Sequence, residues 1–140
     1  MARILGIDYG KVRTGLAISD ETETLARALQ VVEGLSNLEK EVKVIIELYS
    51  IDKIVLGISK KSDGSLGEIG ELSVKFGDYL KNKFDNIQVD YFDEAMSTKE
   101  VEQYLKDMGM PLKRYKKKID KYAAEVILQY YLNGQRGGQL

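Results

Sequence analysis

The sequence predicts an α/β fold: a mixed sheet of five strands with helices on its faces, in the order β-β-β-α-β-α-β-α-α. Three observations carry this. Residues 2–8 (ARILGID) and 13–19 (RTGLAIS) flank a tight YGKV turn and read as a strand hairpin. Residues 53–58 (KIVLGI) form a continuous apolar run, the pattern of a central strand buried on both faces. The segments between and after these strands place apolar residues at helical spacing, which puts helices on the sheet.

After the hairpin, residues 25–33 read as a third strand, although Ala and Leu there also suit a helix. Ser36-Asn37-Leu38-Glu39 has the form of a capping box. The helix it opens aligns Leu38, Val42, Ile45, Ile46 and Tyr49 on one face. Beyond the buried strand, 59–66 (SKKSDGSL) is a polar loop. Ile69, Leu72, Phe76 and Leu80 mark a second amphipathic helix, and 87–92 (IQVDYF) a fifth strand ending at Asp93-Glu94. Ser97-Thr98-Lys99-Glu100 offers another capping box, before a helix lined by Val101, Tyr104, Leu105 and Met108. Residues 109–118 form a basic linker with Pro111, the sole proline. The last helix is expected from about Ile119 to Leu132, with a frayed tail from about residue 134.

The 140 residues argue for one domain, large enough to bury roughly 68% of the surface of its unfolded chain. Apolar residues make up 44% and charged residues 31%, and no apolar run approaches the roughly 18 residues that span a bilayer. The N-terminal MARILGIDYG lacks the apolar stretch of a signal peptide, so a cytoplasmic location and no membrane partner are expected. The chain contains no cysteine and no histidine. Thiolate nucleophiles, disulfides and thiolate zinc sites are excluded, and so is the commonest general base. An enzyme built from this sequence works with carboxylates, lysines, hydroxyls and a hard cation such as Mg2+ or Mn2+. The net charge is -1, yet Lys113, Arg114, Lys116, Lys117 and Lys118 place five cations in six residues. Such a local patch can hold a nucleic-acid backbone, although a solvated charge run has the same composition.

Three acids stand out. Asp8 closes the first strand before a glycine turn, as a metal ligand or a turn-capping residue would. Asp93 and Glu94 end the fifth strand, and alternation lets only one of them aim at a given site. Asp120 shares a helix face with Ala123, Ala124 and Ile127, the face that packs on its neighbours. A lone carboxylate there costs several kcal/mol (order of magnitude) unless a cation or a salt bridge compensates it. Strand-end ligands gather at the carboxyl edge of such a sheet. Carboxylates meeting there suit two-metal phosphodiester cleavage, which needs neither histidine nor cysteine. Lys60 and Lys61, in the loop leading to the second helix, could hold a phosphate near that helix's N-terminus or simply line a polar surface loop.

These pieces in this order resemble the YqgF/RuvX family, the Holliday-junction-resolvase-like proteins also described as pre-16S rRNA nucleases. The resemblance runs from Ile4 to Leu132. It rests on Gly6-Ile7-Asp8-Tyr9-Gly10 with Arg13, Gly15 and Ser19-Asp20; on Val55-Leu56-Gly57-Ile58 with Asp63-Gly64-Ser65 and Gly67; on Asp93-Glu94 with Ser97-Thr98; and on Ile119-Asp120, Ala123-Ala124, Ile127-Leu128-Gln129 and Leu132. It implies a ribonuclease-H-like fold and a metal-dependent nuclease whose catalytic acids and metal ligands are Asp8, Glu94 and Asp120. It also implies a role in trimming the 5′ end of the small-subunit rRNA precursor, in contact with pre-rRNA and, through it, the ribosome. Lys11 and Arg13 join Lys60, Lys61 and the 113–118 cluster as candidate nucleic-acid contacts. The sequence departs from the family in three places: Val12-Arg13 stands for Lys-Arg, Ser59 for a proline, and Ala95 for the arginine of Asp-Glu-Arg, a contact that Arg13 or Lys99 would have to replace. Two other readings compete, a resolvase acting on branched DNA and a nonenzymatic RNA-binding assembly factor. A third, nucleotide hydrolysis as in actin-like kinases, needs a second lobe that 140 residues do not supply. A resolvase requires a dimer; no seam is evident, and Tyr130 and Tyr131 fit either an interface or the interior.

Overall fold

The computed structural model of the protein describes residues 3–58, 60–93, 103, 105–107, 109 and 119–137, with only the backbone at 119–121 and 135–137. Five strands form one sheet in the order β3-β2-β1-β4-β5: β1 Arg3–Asp8, β2 Arg13–Ser19, β3 Ala26–Glu33, β4 Ile51–Ile58 and β5 Gln88–Asp93. β1 pairs antiparallel with β2, and β2 antiparallel with β3. On its other side β1 pairs parallel with β4, and β4 parallel with β5. The mixed sheet is the one expected, and β1, β4 and β5 end at the same edge.

Two helices, α1 Leu35–Tyr49 and α2 Glu68–Lys83, cover one face, and α3 Ile119–Gly137 covers the other. The pleat divides the apolar residues between them. Leu5, Ile7, Leu16, Ile18, Ile54 and Leu56 pack with Leu38, Val42, Ile45, Phe76 and Leu80 on the α1/α2 side. Ile4, Ala17 and Val55 pack with Ala124, Leu128, Tyr131 and Leu132 on the α3 side. β4 contributes to both clusters, as its unbroken apolar run requires. Among the described residues, no helix is long and apolar enough to cross a membrane.

Three expectations are corrected. Ser36 does not cap α1. Gly34 is the N-cap, with no side-chain hydrogen bond, and Ser36 already lies within the first turn. Gly34 takes φ +82°, which glycine adopts without steric cost, and its N–H donates to the Val12 carbonyl at 3.1 Å. The helix therefore starts before a serine cap at 36 could form. On α2, Phe76 and Leu80 are buried as expected and Leu72 is half-buried, but Ile69 is exposed, and Gly70, Ser73 and Gly77 complete the buried face. Small residues let α2 lie close to the sheet: Ser73 Oγ donates to the Gly57 carbonyl at 3.3 Å, and the Tyr91 hydroxyl fills the space beside Gly77. A pattern read from large apolar residues alone cannot see a contact face made of small ones. Finally, α3 continues past Leu132 to Gly137.

Tyr131 packs inward. It is 7% exposed, its hydroxyl donates to Asp90 at 2.7 Å and accepts from Lys53 Nζ at 3.1 Å. Burial, then the neighbouring Asp90, hold the phenol protonated well above its ordinary range. Leu105, expected on a buried helix face, is helical and buried. The rest of that helix, its capping box at Ser97 and the basic linker lie outside the described residues.

A β-carbon at Gly77 would sit 2.3 Å from Tyr91 Oη and 3.0 Å from Leu56 Cδ1. Gly77→Ala is expected to lower stability by about 1–3 kcal/mol in urea unfolding, the usual range for overpacking. Adding Tyr91→Phe, which removes the clashing oxygen, should recover part of that loss.

Candidate active site

The edge where β1, β4 and β5 end holds Asp8, Ile58 and Asp93. Asp8 is half-buried and pairs with Gly15 of β2. It shares the α3 face of β1 with Ile4 and Gly6 by the period of two. The following turn is fixed by sterics. A β-carbon at Gly10 would lie 2.1 Å from the Arg13 carbonyl oxygen, so only glycine fits. The Gly10 N–H donates to Thr14 Oγ1 at 3.2 Å, and Thr14 is buried. Lys11, Val12 and Arg13 are thereby presented to solvent at the Asp8 end. Lys11 forms an ion pair with Glu68 in the first turn of α2.

The course of α3 decides what else reaches this edge. Glu125 Oε1 accepts from the Ala28 N–H and Gln129 Oε1 from the Ala26 N–H, both at 2.8 Å. As α3 advances one turn, β3 is met two residues earlier, so α3 runs antiparallel to β3. β3 and β1 are each antiparallel to β2 and thus run the same way. α3 is therefore antiparallel to β1, and its first turn points to the Asp8 end. The contact is close: a β-carbon on Gly6 would come 2.9 Å from Leu128 Cβ and 3.4 Å from the Ala124 carbonyl oxygen. Asp120 precedes Ala124 by about one turn, roughly 5.4–6 Å of rise. Asp8 follows Gly6 by two strand residues, about 6.6 Å. The backbone of Asp120 thus stands level with Asp8. The Asp120 side chain and all of Glu94 lie outside the described residues, as do Lys113, Arg114, Lys116, Lys117 and Lys118. Asp93, immediately before Glu94, is exposed at the end of β5. Asp90 and Phe92 of that strand face α3 through Tyr131.

The loop after β4 leaves Lys60 and Lys61 exposed. It closes through a Lys61 N–H to Ser65 carbonyl bond at 2.8 Å and a Ser65 N–H to Asp63 bond at 2.9 Å. Asp63 is held below the ordinary carboxylate range by the Ser65 hydroxyl and N–H. The α2 terminus that follows carries Glu68 and Glu71 in its first turn, which oppose an anion there. Asp20 is a turn-builder: its carboxylate accepts from the Thr24 and Leu25 N–H groups and from the Thr22 hydroxyl. The Thr24 bond leads in lowering its pKa. Ser19 Oγ accepts from the Ile4 N–H. These positions of the first motif are structural.

A model of the RuvX Holliday junction resolvase family matches residues 2–134. The chain belongs to this family. Among its RuvX relatives is a protein of Caldanaerobacter subterraneus subsp. tengcongensis named "putative pre-16S rRNA nuclease", 38% identical, with 96% of this chain and 98% of the relative covered. Proteins of the same name in Halothermothrix orenii and Bacillus pumilus are each 39% identical, over 95% and 94% of this chain and 96% and 97% of their own lengths. Among solved structures, the chain superposes on Thermus thermophilus RuvC in complex with a Holliday junction with TM-score 0.64 at 15% identity, covering 98% and 97% of the two chains. The chain therefore has the ribonuclease-H-like architecture.

Glu125 was not read as special from the sequence, and Gln129 only as part of a motif. Both are buried polar residues on the sheet-facing side of α3. A polar pair four apart on an otherwise apolar helix face was the available signal.

Because Gly6 sets how closely α3 lies on β1, Gly6→Ala is expected to displace α3 and with it the first turn beside Asp8. Nucleic-acid cleavage should fall on the order of 10- to 100-fold in protein shown to be folded by circular dichroism, since a misplacement near 1 Å can cost that much. A folded Gly6→Ala protein with the wild-type rate would show that this contact does not set the site.

Proposed function

We propose that the carboxyl edge of the sheet is the nuclease active site, that Asp8, Glu94 and Asp120 are its divalent-metal ligands, and that the substrate is the 5′ end of pre-16S rRNA. Nuclease chemistry on nucleic acid follows from membership of the family. The antiparallel course of α3 is the observation that supports the site: it brings the Asp120 backbone level with Asp8, while Glu94 follows directly on the last residue of β5, which ends at the same edge one strand beyond β4. The names carried by the relatives support the substrate and, with it, a reaction in the cytoplasm.

The donor set fits hard cations. The three acids offer oxygen only, and a chain without histidine or cysteine presents no softer competitor. A bound pair of Mg2+ or Mn2+ ions would supply water activation and charge stabilisation at the leaving oxygen. The chain's own residues do the rest. β1, hydrogen-bonded on both sides, holds the Asp8 backbone rigidly, as precise positioning demands. Arg13, at the solvent-exposed start of β2, lies beyond the Asp8–Gly15 pair, where a substrate backbone approaching the edge passes. Lys11 is within reach of the same backbone and would exchange Glu68 for a phosphate oxygen. The 113–118 cluster ends two residues before Asp120 in the chain and offers further cations for a substrate backbone.

Asp8→Asn is expected to lower cleavage of a pre-16S 5′ precursor by more than about 100-fold with an unchanged unfolding midpoint, and chelation of the metal should do the same. A four-way DNA junction assayed in parallel distinguishes RNA processing from junction resolution. Wild-type turnover by Asp8→Asn would remove Asp8 from the chemistry. Separately, reversing the charge of Lys116, Lys117 and Lys118 should weaken RNA binding and flatten its dependence on salt concentration, the logarithmic slope falling by about 0.7–0.9 for each phosphate no longer neutralised. An unchanged salt slope would take these lysines off the substrate path.

A further inference from the structure

The sheet edge that carries Asp8 has a second feature, on the opposite face. Tyr9 follows Asp8 and packs against the cluster beneath α1 and α2. Its ring centroid lies 5.7 Å from that of Phe76, tilted by 39°, and the Phe76 ring lies 5.9 Å from Tyr79, within 18° of parallel. Phe76 is buried and both tyrosines are half-buried. With Leu35 and Glu39 of α1 and Leu72 and Lys75 of α2, they line an open groove of about 190 Å³. Leu35 is 52% exposed on its rim.

The groove sits at the Asp8 end. Lys11 is paired with Glu68, one turn before Leu72. The Val12 carbonyl accepts from the Gly34 N–H, immediately before Leu35. The β1–β2 turn thus bridges the starts of α1 and α2 at the mouth of the groove. The space is smaller than the roughly 300–1,000 Å³ of sites for drug-sized ligands, which suits one flat ring rather than a larger molecule. Its lining joins three aromatic rings and two leucines to an acceptor, Glu39, and a donor, Lys75.

We infer that this groove receives one unpaired base of the nucleic acid whose scissile phosphate lies at Asp8, a role that rests on the nuclease reading above. Every base has a π-face, and aromatic side chains serve as platforms for it without regard to sequence. Unpaired bases are also bound along their Watson–Crick edges, which offer both donors and acceptors to Glu39 and Lys75. Lys11 at the mouth is placed to meet a flanking phosphate. A base locked in a continuous duplex cannot enter. The substrate class is accordingly a strand with an unpaired nucleotide beside the cut, such as a single-stranded extension, rather than uninterrupted double helix.

The test uses Asp8→Asn protein with Mg2+, so that binding is read without cleavage. One probe is an RNA duplex with a single-stranded 5′ extension carrying 2-aminopurine, and the other is the blunt duplex. The extension's fluorescence is expected to be quenched on binding. Tyr79→Ala should weaken binding of the extended probe about tenfold and leave the blunt duplex unaffected, whereas Tyr79→Phe, which keeps the ring, should stay within about twofold. Glu39→Ala leaves the aromatic series intact and should cost about threefold on the extended probe alone. Equal weakening on both probes, or no effect of Tyr79→Ala and Glu39→Ala on the extension, overturns the inference. If wild-type protein cuts neither probe nor precursor while the extension still binds through Tyr79, the nuclease reading fails and the base site stands.

Discussion

An exposed strand edge must find partners for its outward N–H groups, and here α3 supplies them. β3 is the outer strand of the sheet on the hairpin side. The Ala26 and Ala28 N–H groups turn away from β2 and are met by Gln129 and Glu125. These donors are part-buried, so leaving one unpaired costs at most about 1–3 kcal/mol, and the two bonds fix the register of helix against strand. Gln129 adds a bond from its amide to the Thr24 carbonyl at 3.0 Å. The Gly6 contact then sets the depth at which α3 lies on β1. Register and depth together determine where the first turn of α3 falls, and the candidate catalytic acids depend on that placement.

Much of this was legible in the sequence because burial leaves a strong periodic mark. The hairpin, the doubly buried β4 and the apolar face of α1 follow from alternation, unbroken apolarity and helical spacing. What escaped was information carried by small or polar residues. Gly70, Ser73 and Gly77 share the contact face of α2 with Phe76 and Leu80, yet none of the three is apolar enough to register in a hydrophobic pattern. The start of α1 was displaced by a backbone bond from the hairpin turn to Gly34, a contact between segments more than twenty positions apart. Of the candidate site, the place of Asp8 at a strand end was legible, and the level of Asp120 emerges only once the direction of α3 is known. Glu94 and the basic cluster rest on the sequence alone.

Polar residues divide into two groups by what surrounds them. Ser19, Asp20 and Thr14 spend their hydrogen-bonding capacity on nearby backbone, and Asp90 and Lys53 meet across Tyr131. These hold strands and turns in place far from, or beneath, the edge that carries Asp8. The side chains presented at that edge, Lys11 and Arg13 among them, are exposed and lie on a turn whose backbone is locked by Gly10 and Thr14. Rigid backbone under accessible side chains is the arrangement that precise recognition of a polymer demands.

The direction of α3 also gives the molecule two poles. Its early turns lie at the Asp8 pole, and its later ones lead past Lys53 and Asp90 towards the rear of the sheet. A tether, label or fused module joined after this helix would depart from the rear pole. Protein anchored to a bead or chip by such a handle would leave the Asp8 edge facing the solution, whereas anchoring through the β1–β2 turn would bury it.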